Sequence, residues 1–217
     1  MNVFILNTGR CGSSAFIKAC SHITNYSSAH ESKNGLLQKS RFNYPKNHIE
    51  ADNRLSWQLG KLDKAYGNDA IYVHLKRSTK DTARSFARRY SDGIIKAFYI
   101  TLISNNQPKA IKRMSKQSEP IDVAIDYCDT VNSNIKFFLK DKKHKMLIKI
   151  ENIDKDFILF WKLIDAKGNI NDALDEFNIK HNSYKHQSFF NKIKWWILNN
   201  YLKFKKAILN LPNLKNN

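Results

Sequence analysis

The chain has 217 residues, a formal net charge of +18 from 37 Lys and Arg against 19 Asp and Glu, and 42% hydrophobic residues. That apolar content excludes a wholly disordered chain, and the length suits one domain with a full core plus at most a short appendage. No apolar run reaches the roughly 18 residues of a membrane span; Cys11, Cys20 and Cys128 are few and scattered, as expected in a reduced intracellular compartment without a zinc site.

Val3-Phe4-Ile5-Leu6 is a continuous apolar run without alternation, which predicts a strand buried on both faces. With strand already at residue 3, no secretory signal is expected ahead of the fold, and the expected location is cytoplasmic. A Gly-containing turn over residues 8–14 follows, and then Ala15, Phe16, Ala19 and Cys20 recur at helical spacing. Leu55, Leu59 and Leu62 predict a helix ahead of a second buried strand, Ile71-Tyr72-Val73-His74-Leu75. Ser78 and Asp81 stand in capping-box positions for a helix over about residues 79–90. The polar stretch 104–120 reads as a loop. Val123, Tyr127, Val131 and Ile135 predict a helix over residues 122–139, and Met146-Leu147-Ile148-Lys149-Ile150 a third strand. Phe157, Phe160, Trp161 and Ile164 mark the next helix, and Ala173, Leu174 and Phe177 a short one after it.

Strands alternating with helices imply an α/β fold with a mostly parallel sheet covered on both faces. Ligands of such sheets bind beyond the carboxyl ends of the strands, here residues 7–14, 76–85 and 151–154. This domain is expected to span residues 1–180. Residues 181–217 form a basic amphipathic extension: from Phe177 onward there are eight Lys and no acidic residue, and Phe190, Ile193, Ile197, Tyr201, Phe204 and Ile208 share one helical face. Such a helix suits either docking on the domain or peripheral contact with an anionic membrane. The aromatic residues follow apolar patterns and form no basic-aromatic platform, so nucleic acid is disfavoured as a partner.

The first loop, Thr8-Gly9-Arg10-Cys11-Gly12-Ser13-Ser14, joins a buried strand to a helix. Its glycines let backbone approach a phosphate, the helix start offers unpaired N–H groups, Arg10 adds a cation, and Ser13 and Ser14 add hydroxyls. Two glycines can also simply make a tight turn. No Gly-Lys-Ser/Thr completes a Walker pattern, so a metal-dependent NTPase is disfavoured. The loop closely resembles the 5′-phosphosulfate-binding loop of sulfotransferases that use 3′-phosphoadenylyl sulfate (PAPS). The resemblance implies a P-loop-like three-layer core and a donor site made by Gly9, Arg10, Cys11, Gly12, Ser13 and Ser14. It also implies that Arg10 bears on the leaving phosphate, that adenosine 3′,5′-bisphosphate is the product, and that no metal is needed.

A second match lies at Tyr72-Val73-His74-Leu75-Lys76-Arg77, which resembles the family's strand ending in Arg, with Ser85 eight residues on. By that resemblance Arg77 and Ser85 grip the 3′-phosphate; the planar guanidinium fork suits a phosphate in any case. Residues 148–153 and the helix after them look like the family's late strand and the helix behind it. The Gly-rich cofactor segment of the phenol-type branch is missing, and the pattern looks closer to the carbohydrate-type branch and its small bacterial relatives. A glycan or other hydroxyl-bearing acceptor is therefore expected.

Sulfuryl transfer also needs a base for the acceptor hydroxyl. It is expected near the end of the strand beside the first one, where Ser28-Ala29-His30-Glu31-Ser32-Lys33 supplies Glu31, the first choice by resemblance, and His30, whose imidazole suits neutral pH. A second polar cluster, His48-Ile49-Glu50-Ala51-Asp52-Asn53-Arg54, can line the acceptor site, with Asp52 better suited to an N-cap. The rival readings are a nucleotide-binding phosphoryl-transfer enzyme on the same core and a non-catalytic basic binding protein.

Overall fold

The apolar run at the N-terminus forms the central strand of a five-stranded sheet. The computed structural model describes residues 1–88, 93–103 and 120–179, so the tail over 181–217 and all but Pro120 of the loop over 104–120 lie outside the described residues. The strands are β1 (Asn2–Leu6), β2 (Ser27–His30), β3 (His48–Ala51), β4 (Ala70–Lys76) and β5 (Lys145–Lys149). They lie in the order β2-β3-β1-β4-β5, every pairing parallel. The helices are α1 (Ser13–Cys20), α2 (Leu59–Tyr66), α3 (Thr79–Ala87), α4 (Ile94–Phe98), α5 (Pro120–Phe138), α6 (Ile153–Leu163) and α7 (Ile170–Asp175).

Because side chains alternate along a strand, β1 feeds two cores. Val3 and Ile5 join Phe16 of α1, Phe157 and Phe160 of α6 and Ala173 of α7. Phe4 and Leu6 join Leu62 of α2, Phe86 of α3, Phe98 of α4 and Tyr127 of α5. Phe4 stacks on Tyr72 at 6.0 Å, and Phe16 meets Phe157 edge-on at 5.4 Å. The result is a three-layer α/β arrangement in which all the β-to-α turns gather at one rim of the sheet.

The three expected strands are present, with β5 closing at Lys149 where Ile150 enters a 3-10 turn. The capping expectation holds at Ser78, whose Oγ accepts from Asp81 N–H at 3.5 Å; the reciprocal bond is not to Asp81, since Glu151 Oε1 takes the Ser78 N–H at 2.6 Å. Of two further strands, β2 lies in the segment where a strand beside the first was expected to end, and β3 was not expected. Neither has an apolar run: β2 is a partly exposed edge strand, Ser-Ser-Ala-His, and β3 buries His48 and Glu50 beside Ile49 and Ala51. β3, not the segment around Ser28, is the neighbour of β1 on that side, and β2 forms the outer edge.

One buried titratable group sits in this scaffold away from the rim turns. His74 of β4 donates from Nε2 to Asn132 Oδ1 of α5 at 2.9 Å. Burial drives its pKa down from 6.5 to about 4, Asn132 opposing the shift and Lys76 adding to it. The unfolded chain therefore binds a proton below pH 6.5 that the folded chain refuses until about pH 4. This contribution to stability is complete above pH 6.5 and is lost as the pH falls, on the order of 3 kcal/mol over the window. Urea unfolding across that window should give a steeper acid loss for the native protein than for His74→Gln; parallel profiles would show that His74 is not the group responsible.

Candidate active site

Asn7 carries the chain out of β1 and folds the first loop around itself. Its Oδ1 accepts from Gly9 N–H at 2.8 Å and lies 3.5 Å from Cys11 Sγ, while its N–H goes to Ser56 Oγ at 3.1 Å. Ser56 Oγ in turn donates to Asn7 O, and Tyr127 OH donates to Thr8 O at 2.7 Å, so the loop is tied to β3's outgoing turn and to α5. Gly9 (φ 82°), Arg10 (φ 57°) and Gly12 (φ 89°) are all left-handed. The positive φ demands glycine, and space is tight as well: a Cβ at Gly12 would lie 2.7 Å from Ile150 Cδ1, and one at Gly9 3.1 Å from Asn53 Nδ2, so those side chains would have to move.

Helix α1 starts directly after its N-cap Gly12, which has no side chain to cap it, and its first turn holds no acidic residue. The first N–H groups of a helix lack internal partners, and the dipole favours an anion there, so the loop and helix fit a phosphate or sulfate group. Cys11 packs into the core, and burial pushes its thiol up to about 12. It is a protonated packing residue, and its share in the loop is its backbone.

The second sequence signal meets the first. Arg77 lies exposed just past β4, and its charge is felt by the Cys11 thiol. Ser85, one turn from the end of α3, accepts from Arg10 Nε at 3.2 Å. Glu151, past β5, holds Ser78 N–H. Residues from all three expected rim segments are thus joined by direct bonds, and Arg10 spans the gap between the two loops.

His30 and Glu31 stand on the other side of the first loop. His30 Nε2 lies 3.1 Å from Ser13 Oγ. Glu31 ends the β2–β3 ladder by donating its N–H to Ala51 O at 3.0 Å, and then adopts φ 55°. Its carboxylate, about a third exposed, pairs with Arg54 at 2.7 Å, and this bond raises the Arg54 pKa further. Non-glycine residues with positive φ are uncommon, and both Arg10 and Glu31 are among them. Lys33 is half-buried in the turn that follows.

Sequence reasoning read Glu50 and Asp52 as part of a polar cluster lining an acceptor. Both are fully buried and their oxygens are engaged. Glu50 accepts from Ser32 N–H, Ser32 Oγ and His48 Nε2; Asp52 pairs with Arg41 and caps Arg54 N–H at 2.8 Å, the N-cap role its position suggested. Arg54 belonged to that cluster, but its pairing with Glu31 was not foreseen, and Ser56 and Arg41 were missed as site residues. Glu31 and Asn7, the partners of Arg54 and Ser56, lie far away in sequence, and the β2–β3–β1 pairing brings them together. Ser56 also lines a groove of about 730 Å³ walled by Trp57, Leu59, Phe98, Phe137 and Phe138. Among the described residues no cluster of three or more His, Cys, Asp or Glu could hold a metal ion, and no helix is long and apolar enough to cross a membrane.

No protein-family model and no curated protein matches the chain. Among solved structures it is similar to a sulfotransferase from Alicyclobacillus acidocaldarius, with a TM-score of 0.52 and 14% identity over 81% of this chain and 88% of that one. At that identity the likeness speaks for the fold. The chain has a sulfotransferase-like fold: a parallel, P-loop-like sheet with helices on both faces.

Proposed function

We propose that the protein is a sulfotransferase that takes a sulfuryl group from PAPS, passes it to a hydroxyl or amine acceptor, expected on a carbohydrate, and releases adenosine 3′,5′-bisphosphate. The observation that carries this reading is the Arg10–Ser85 hydrogen bond. It joins the loop whose pattern resembles a 5′-phosphosulfate site to the helix whose pattern resembles a 3′-phosphate site.

The donor supplies an activated sulfuryl group whose leaving phosphate gathers negative charge. The chain meets that charge with the uncapped start of α1 and with Arg10. Ser13, Ser14 and the backbone of Gly9, Cys11 and Gly12 hold the 5′ end; Arg77 and Ser85 hold the 3′-phosphate. Glu31 takes the acceptor's proton as the new oxygen–sulfur bond forms, and His30, already against Ser13, works on the donor side of the same cleft. Trp57, 45% exposed at the edge of the groove, offers an aromatic face to a sugar ring.

A thermal-shift comparison tests the donor directly. Adenosine 3′,5′-bisphosphate should stabilise the protein more than ATP or AMP at equal concentration. A preference for ATP would favour phosphoryl transfer on the same core, and no response to any of the three would favour a non-catalytic basic protein. Within the same experiment, Arg77→Ala should weaken adenosine 3′,5′-bisphosphate binding by about 1.5–3 kcal/mol, the scale of a charge-assisted bond, and barely affect 5′-AMP. Equal loss for both ligands would take the 3′-phosphate away from Arg77.

A further inference from the structure

Glu50 is an odd residue for its place. It sits within β3, is fully buried, and alternates with Ile49 and Ala51, which pack into the apolar core. An apolar side chain there would avoid the desolvation that a buried carboxylate must offset through hydrogen bonds. The carboxylate meets that requirement with donors from one turn and one strand neighbour. Oε1 accepts Ser32 N–H at 2.9 Å; Oε2 accepts Ser32 Oγ and, at 3.1 Å, His48 Nε2. His48 is itself held from the other side by Ser27 Oγ, 2.8 Å from Nδ1.

The consequence falls on the residue before Ser32. Two successive N–H groups are captured by β3 in different ways: Glu31 N–H by the backbone of Ala51, as a last rung of the ladder, and Ser32 N–H by the side chain of Glu50. Between them Glu31 is held at φ 55°, a conformation that residues with a Cβ rarely adopt without being fixed on both sides. From that backbone its carboxylate reaches Arg54, which Asp52, also following β3, holds through its own carboxylate. The C-terminal end of β3 thus sets both the backbone and the head group of Glu31.

From this geometry we infer that Glu50 is a positioning residue for Glu31, clamping Ser32 so that the left-handed corner keeps the Glu31 carboxylate on Arg54 at the carboxyl-end rim of the sheet. The inference rests on the reading of Glu31 as the base, but the clamp can be measured without the reaction. In Glu50→Gln the amide at Ser32 should exchange its hydrogen at least about tenfold faster, while amides of α1 and β4 keep their protection. Turnover should fall at least about tenfold with donor KM and adenosine 3′,5′-bisphosphate affinity unchanged within about twofold, because the donor loop is not touched. The double variant Glu31→Gln/Glu50→Gln should be no slower than Glu31→Gln alone, since Glu50 acts only through Glu31.

Ser32→Ala gives a second arm should Glu50→Gln fold poorly. It removes the hydroxyl that donates to Glu50 and keeps the backbone bond, and should lower turnover by about threefold to tenfold without altering donor affinity. Unchanged exchange at Ser32 in Glu50→Gln would overturn the clamp. So would a double variant slower by the product of the two single effects, or a Ser32→Ala protein with full turnover. Absence of sulfuryl transfer by the native protein would count against the sulfotransferase reading, and the exchange measurement would still decide the clamp.

Discussion

Glu31→Gln is expected to lower turnover about 10²–10⁴-fold, the usual worth of a general base, while adenosine 3′,5′-bisphosphate binds as before. The substitution keeps the shape of the side chain and one oxygen for Arg54, so the corner after β2 should stay in place. What disappears is the carboxylate that can accept the acceptor's proton. His30→Asn should be milder. Its imidazole faces Ser13 of the donor loop at 3.1 Å, so its loss should appear partly as a higher donor KM. Steady-state kinetics of both variants with PAPS and a panel of hydroxyl acceptors separates the roles. If His30→Asn proves the more damaging in turnover, the proton goes to His30. If neither variant loses turnover, the base is not at this corner, and Glu50 and Asp52, with their oxygens already committed, are poor substitutes.

Those commitments also explain what could and could not be read from the sequence. β1 and β4 announced themselves because a strand buried on both faces is an unbroken apolar run, and β5, an edge strand with only Ile148 fully buried, showed through its short Met-Leu-Ile run. The first loop was legible because its demands are local: glycines where a Cβ would strike Ile150 or Asn53, and a helix start left uncapped. β3 was not legible. His-Ile-Glu-Ala reads as a polar cluster because the donors that make a buried Glu50 tolerable, Ser32 and His48, come partly from a turn 18 residues earlier. β2 is a short edge strand with no apolar signal at all. With β3 unread and β2 expected beside β1 instead, the Glu31–Arg54 pair was invisible, since β2 lies against β3. Ser85 shows the opposite case: it is an ordinary helical serine by pattern, and only the resemblance pointed to it before Arg10 was found on its hydroxyl.

That last bond bears on the second large effect, Arg10→Ala, which should cost turnover about 10²–10³-fold, the scale for removing one donor aimed at developing charge. A group that acts in the transition state lowers kcat and kcat/KM together, whereas a ground-state anchor raises KM alone. On the proposed reading, two observations favour the first role for Arg10. Its backbone is left-handed between two left-handed glycines, so the guanidinium is carried by a loop with little freedom to reorganise during the reaction. Its Nε is already engaged by Ser85, which fixes the plane of the fork. The same bond predicts a smaller, separable effect: with Arg10 gone, Ser85 loses its partner and the donor's 3′ side loosens, so donor KM should also rise, by about twofold to fivefold. Ser85→Ala should reproduce the KM component without the loss of turnover. Arg10→Lys keeps the charge but cannot keep both the Nε bond and a planar fork, so it should recover only part of the rate. An Arg10→Ala protein with native turnover and a raised donor KM would make Arg10 a binding anchor, and the charge on the leaving phosphate would then rest on the start of α1 alone.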